Sequence, residues 1–359
     1  MKIQVERDAL ADAVAWAARG LPARPAVPVL AGMRLQADAE LTLASFDYDV
    51  SAQASIPVAT DEEGTALVSG RLLAEITRSL PARPVQISSD GSRATLTCGS
   101  TTFTLLTMPV EDYPTLPEMP PAAGSIGSDA FATAVNQSAA AAGRDDTLPA
   151  LTGVRIEIEA DTLTLVSTDR YRLAVRELPW KPEQNELSAQ VLIPARTLSE
   201  SAKTLTTGSE ITLALAGGGA GEGMIGFAGP ARRTTTRLLD AEFPKYRSLF
   251  PTEWSATADI PVPALLEAVK RVALVADRGT PVRLDFSEGM LSLTAGGDDE
   301  GRAEEQVEVQ FSGEPLTIAF NPTFLQDGLT AVHAGMARMS FTTPSKPSVV
   351  TAVDGDGTV

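Results

Sequence analysis

Residues 67–80 read LVSGRLLAEITRSL and residues 192–205 read LIPARTLSESAKTL. In each, an apolar pair leads through a small residue or proline into a helical pattern with apolar side chains three and four apart. A looser third version, IAFNPTFLQDGLTAV, occupies residues 318–332. A second set of helices shows the same recurrence: Leu10, Phe131 and Leu265 each open a pattern continued by Ala13-Val14, Ala134-Val135 and Ala268-Val269. The chain is therefore written three times, with two helices per copy. The spacing between copies far exceeds the roughly 20–50 residues of a solenoid repeat, so each copy is a domain. We place the domains at residues 1–120, 121–252 and 253–359.

The strands around those helices alternate. In the first copy KIQVE, MRLQA, ELTLASF and VSAQASIPV precede the second helix, and VQISS, ATLTC and TFTLLTM follow it, with Asp90-Gly91 as a hairpin turn. Leu72, Leu73, Ile76 and Leu80 are expected to form one apolar stripe, leaving Arg71, Glu75 and Arg78 outside. This is an α+β pattern, two helices per domain on one side of antiparallel sheet. The aperiodic stretches MPPAAGS at 119–125 and PTEW at 251–254 read as linkers.

Composition excludes several classes. At 359 residues the chain is long enough for two or three cores. No apolar run reaches the roughly 18–20 residues of a membrane span, and MKIQVERDAL lacks the apolar core of a signal peptide, so a cytoplasmic protein is expected. The single cysteine, Cys98, permits neither an intrachain disulfide nor a cysteine-based zinc site, and reads as a buried thiol. The single histidine, His333, sits near a helix end, where capping or surface exposure is expected. AGGGAGEG at 216–223 lacks the Gly-Lys-Ser/Thr ending of a phosphate loop and reads as a loose hairpin, and DGDG at 354–357 lacks the alternating ligands of a calcium loop. No GxSxG elbow occurs. No catalytic residue, metal site or cofactor is expected, although a carboxylate pair for glycoside hydrolysis is defined by spatial separation and not by spacing. Two other readings of such a chain are a repeat-built peptide adaptor and a β-rich carbohydrate-active enzyme.

The opening MKIQVERDAL, then LPARPAVPVLAGMRL, LTLASFDYDV, STDRYRLAV and the pair DYPTLP and EFPKYRSLFP resemble the bacterial DNA polymerase III β subunits, the sliding clamps, over essentially the whole chain. Its alanine- and arginine-rich usage suits a high-GC bacterium. The resemblance implies a three-domain clamp fold that dimerises head to tail into a pseudo-sixfold ring, with helices lining the hole and sheets forming the outer wall. It implies a non-catalytic processivity factor that encircles double-stranded DNA regardless of sequence.

The net charge of −17 is uneven. Arg19, Arg24, Arg71, Arg78, Arg83, Arg144, Arg196, Lys203, Lys270, Arg271 and Arg278 fall on the helices and adjoining loops that the resemblance places inside. Asp61-Glu62-Glu63, Asp298-Asp299-Glu300 and Glu304-Glu305 fall in loops and strands that the resemblance places on the rim or outer wall. A basic lining would attract phosphates while an acidic exterior discourages binding elsewhere. Arg24, Arg71, Arg144, Arg196 and Lys203 are expected to face DNA.

The resemblance further implies a pocket for short motifs of glutamine followed by hydrophobic residues, carried by the polymerase III α subunit, the clamp-loader δ subunit, other polymerases and repair proteins. Its walls map onto Leu151, Thr168, Arg170, Tyr171, Arg172, Leu173, Pro244, Ser248 and Leu249, with Lys346 and Pro347. It places Phe103 and Leu105 of one protomer against Leu274 and Val275 of the other, with Arg71 facing the acidic loop 298–305. Clamps of this family end in a strand with a Met-Pro-(Met/Val)-Arg-Leu type tail. This chain stops at Val359 after DGDGTV, so the third domain is expected to lack its last strand, and it has no counterpart to Tyr113-Pro114 or Phe243-Pro244.

Overall fold

The computed structural model describes residues 1–205, 208–215, 223–276, 279–297 and 301–353. Arg278, the 298–300 carboxylates, most of the glycine-rich stretch and the terminal DGDGTV lie outside the described residues. Two compact units divide the chain: residues 1–132, 158–161 and 179–240 form one, and residues 133–157, 162–178 and 241–359 the other.

Six α-helices carry the repeat: α1 (Arg7–Ala17), α2 (Gly70–Ser79), α3 (Ser128–Ala139), α4 (Ala195–Thr204), α5 (Val262–Val272) and α6 (Pro322–Val332). The threefold register is literal. Leu10, Ala13, Val14 and Ala17 of α1 are buried, as are Phe131, Ala134, Val135 and Ser138 of α3 and Leu265, Ala268, Val269 and Val272 of α5. That i, i+3, i+4, i+7 stripe is the face each helix lays on sheet. On α2 the buried positions are Gly70, Leu73, Ala74, Ile76 and Thr77. Leu72 therefore falls at the margin of the stripe and is 46% exposed, contrary to the sequence expectation. The turn after α1 closes against the sheet at Gly20, where an added Cβ would collide with Ser45 Oγ.

The first unit holds a nine-stranded sheet ordered Lys181–Pro182, Ala122–Gly127, Glu210–Leu215, Met224–Ala228, Arg232–Arg237, Val50–Pro57, Glu40–Phe46, Gly32–Ala37 and Gly64–Ser69. Strands from the first and second thirds of the chain thus share one ladder, joined where Arg232–Thr236 pair antiparallel with Val50–Ala54. Ala122–Gly127 is a strand and not linker: its alanines and glycines carry little strand propensity, but Glu210–Leu215 pairs with it along its length. A five-stranded sheet ordered Ala59–Glu62, Lys2–Val5, Val85–Ser89, Arg93–Cys98 and Thr101–Leu106 covers the other side, with Cys98 fully buried.

In the second unit the strand stretches 153–157, 162–168 and 173–178 lie side by side. Two four-stranded sheets enclose an apolar core with α5 and α6. Their end strands include Val349–Ala352, the last described strand of the chain, and Gly301–Glu308. Asn321 caps α6 by accepting from the Thr323 and Phe324 amides, and His333 ends it in the left-handed conformation, φ 52°.

Candidate nucleic-acid and peptide interfaces

A cleft of about 550 Å³ opens in the first unit where the end of α1 meets α2 and α4. Arg19, Arg71, Arg78 and Arg196 line it, with Glu75, Glu200 and Asp47 as the carboxylates. Each arginine is held differently. Arg71 donates to the Pro22 and Ala23 carbonyls at 2.9 and 2.8 Å, bracing the exposed loop that carries Arg24. Arg19 lies 5.7 Å above the Trp16 ring and donates to the Glu200 carbonyl, and burial lowers its pKa against the opposing pull of Glu200. Arg196, 89% exposed, reaches only Glu200 one helical turn on, a contact that a phosphate can replace at little cost. Lys203 is exposed on the same helix. Arg144 belongs to the second unit, where it lines a separate 380 Å³ cleft with Arg172, Asp327 and His333.

The predicted peptide residues fall together in the second unit. Asp169 shapes the turn between two strands: its Oδ1 accepts from the Tyr171 and Arg172 amides at 3.1 and 3.0 Å, while Arg170 takes φ 80°. The first unit contains the same turn. There Asp47 Oδ1 accepts from the Asp49 and Val50 amides at 3.0 and 2.7 Å, with Tyr48 at φ 75°. The backbone is duplicated, and the side chains distinguish the copies. In the second, Tyr171 is 72% exposed, stacked on Phe324 at 6.1 Å with the Arg170 guanidinium 5.9 Å away.

Arg172 and Thr168 are committed within the protein. Arg172 pairs with Asp169 at 2.9 Å and Asp327 at 2.6 Å and lies 4.4 Å from the Phe324 ring centre, while the Thr168 hydroxyl donates to the Arg172 carbonyl. The Thr168 hydroxyl closes the turn on itself, and the Arg172 guanidinium holds it to α6. No motif flagged Phe324 or Asp327, which lie on a helix distant in sequence. Leu151 is buried and Leu173 half-buried, whereas Pro244, Ser248 and Leu249 are exposed, Leu249 at 66%. Lys346 and Pro347 are exposed on the segment before the last strand.

The segment 243–249 is anchored by two residues three apart. Phe243 and Tyr246 are buried. Tyr246 donates to Glu157 Oε2 at 3.1 Å, and Arg247 reaches the same oxygen at 2.7 Å. Burial, and then the adjacent Glu157 carboxylate, push the Tyr246 hydroxyl up to about 12, so it remains a donor at neutral pH.

Comparison with known proteins fits this arrangement. The N-terminal, central and C-terminal domains of the DNA polymerase III beta subunit match residues 1–117, 125–245 and 247–358. The chain belongs to the DNA polymerase III beta subunit family. It is 60% identical over 360 residues to the beta sliding clamp of Streptomyces coelicolor, covering 99% of this chain and 96% of that one. The structure superposes on the DNA polymerase sliding clamp of Bacillus subtilis with a TM-score of 0.92 at 24% identity, over 99% and 96% of the two chains. It superposes equally on the Pseudomonas aeruginosa sliding clamp bound to griselimycin, at 27% identity and over the same shares. The fold is thus the three-domain clamp fold, helices on antiparallel sheets. As a beta subunit the chain is a processivity factor, a non-catalytic part of DNA polymerase III. Among the described residues no cluster of His, Cys, Asp or Glu could hold a metal ion, and no helix is long and apolar enough to cross a membrane.

Two strands of the beta subunit end their sheets: Thr101–Leu106 in the first unit and Gly301–Glu308 in the second. An unpaired edge invites another chain. Leu274 on the turn after α5 is 84% exposed, and Phe103 and Val275 are half-buried. Leu105 corrects the sequence expectation. It is 3% exposed and points into the core of its own unit, while Leu106, on the opposite face of the strand, is 75% exposed.

Proposed function

We propose that two copies of this chain join head to tail around duplex DNA and slide along it, carrying polymerases and their partners on the surface formed by Thr168–Leu173 and Pro244–Leu249. The convergence of arginines from the turn after α1, from α2 and from α4 on one cleft carries the DNA half of this reading. Arg24, Arg71, Arg144, Arg196 and Lys203 are the DNA-facing cations. Their charges act on phosphates across water, at a Debye length of about 8–10 Å at physiological salt, so binding is weak, sequence-independent and salt-sensitive. That is what sliding requires.

Exposed Tyr171 and Leu249 beside half-buried Leu173 support the peptide half, since large apolar side chains left open on one surface mark an interaction site. Leu151 contributes to its floor, Pro244 and Ser248 to its wall, and Pro347 with Lys346 to its margin. Its ligands are motifs of glutamine followed by hydrophobic residues, on the polymerase III α subunit, the clamp-loader δ subunit and other polymerases and repair proteins. Ring closure brings Phe103 of one protomer to Leu274 and Val275 of the other. The site of action is the cytoplasm.

Neutralising Arg24 and Arg196 together tests the lining. Both side chains are exposed, so the fold is unaffected, and two lost phosphate contacts lower DNA affinity about tenfold at low salt and flatten its salt dependence. Unchanged affinity and slope would remove them from the interface.

A further inference from the structure

The three copies of one strand carry an arginine and, two residues on, a polar partner: Arg34 and Gln36 in MRLQA, Arg155 and Glu157 in VRIEI, Arg283 and Asp285 in VRLDF. In each copy the pair is made, at 2.8, 2.9 and 3.2 Å. The copies part in what else the partner holds. Glu157 is 1% exposed, and a carboxylate so placed is costly unless compensated. Beyond Arg155, its compensation comes from the segment at the end of the second domain, through Tyr246 and Arg247. In the first domain the corresponding segment, DYPTLP against EFPKYR, has Leu116 and Pro117 at those positions, neither with a side chain able to donate. There Gln36 is neutral, and the segment is held by apolar packing of Tyr113 on Phe46 and Leu67, with Leu116 against them. Of the first and second copies, charge on the strand and donors on the segment therefore occur together in the second, the one that carries the proposed peptide site.

The anchored segment is that site's wall. Arg155, paired to Glu157, also lies 5.8 Å from the Phe243 ring centre. Phe243, Tyr246 and Arg247 are thus tied to one strand through Arg155 and Glu157, and the residues between and beyond them, Pro244, Ser248 and Leu249, are turned outward.

We propose that Glu157 is a positioning residue for peptide recognition: its buried carboxylate fixes the Pro244–Leu249 wall against the Thr168–Leu173 turn. The inference rests on the peptide-site reading above. Glu157 touches no ligand and acts through Tyr246 and Arg247. A flexible wall must be ordered by each incoming motif, which weakens binding, whereas a fixed wall has no such cost.

The test compares E157Q, E157D, Y246F and L173E in the full-length dimer, using a fluorescent peptide with glutamine followed by leucine and phenylalanine residues. E157Q installs the neutral partner of the first domain. It is expected to weaken the peptide about tenfold, the size of one charge-assisted hydrogen bond, and Y246F about threefold. E157D, which keeps the charge, restores most of the affinity. Retention on circular DNA stays at the wild-type level in all three, which separates positioning from general loss of structure. If L173E loses the peptide while E157Q and Y246F bind within twofold of wild type, or E157D binds no better than E157Q, the positioning role is overturned and the peptide site stands. If L173E binds as wild type does, the site itself is wrong. Should E157Q fail to fold, Y246F decides alone: a threefold loss supports the role and unchanged affinity overturns it.

Discussion

Leu173→Glu lowers the affinity for a glutamine-led hydrophobic peptide by at least about a hundredfold, the loss of one apolar anchor worth about 1.5–3 kcal/mol with a carboxylate left facing the incoming side chain. Leu173 begins the strand after the Asp169 turn and is half-buried, so the substitution falls on the rim of the domain core and the fold survives. The effect is confined to the peptide. DNA retention, which the proposed ring supplies by encirclement, is unchanged. Fluorescence anisotropy against the wild type measures the first quantity, and wild-type affinity in the variant would take Leu173 and its neighbours out of the site.

Leu274→Glu converts the dimer to monomers. The side chain is 84% exposed on the turn after α5, so within one chain the change costs almost nothing. In the proposed ring the same position meets an apolar partner surface, and an unpaired buried carboxylate there is expected to outweigh the remaining contacts. Light scattering is expected to give half the wild-type mass with an unaltered thermal midpoint for the first unfolding step. A persistent dimer would place the interface elsewhere. A charge at Leu105 would not answer the question, because that side chain is core and the variant would unfold its own sheet.

The fate of Leu105 shows where sequence reasoning stops. Alternation in TTFTLL puts Phe103 and Leu105 on one face and Leu106 on the other, but it does not say which face is inside. The helices were more legible, since the stripe in α1, α3 and α5 recurs at the same four positions and only one side of a helix can be apolar. Ala122–Gly127 was hidden for a different reason: small residues make a strand there because Glu210–Leu215 pairs with them, a fact that only tertiary structure holds. The peptide turn was legible as a family motif. Its fastening was not, because Arg172 meets Asp327 155 residues away on α6. The Glu157 anchor left a trace that could have been found, the Arg-x-Gln, Arg-x-Glu, Arg-x-Asp series in three equivalent strands.

In the proposed ring the protein holds DNA because it surrounds it. Retention of the loaded dimer on a nicked circular duplex, followed before and after a single cut, tests this most directly. Encirclement predicts stable retention on the circle at physiological salt and rapid loss once the duplex is linear, since weak contacts with phosphates let the ring run off an end. Equal retention on circular and linear DNA would contradict it.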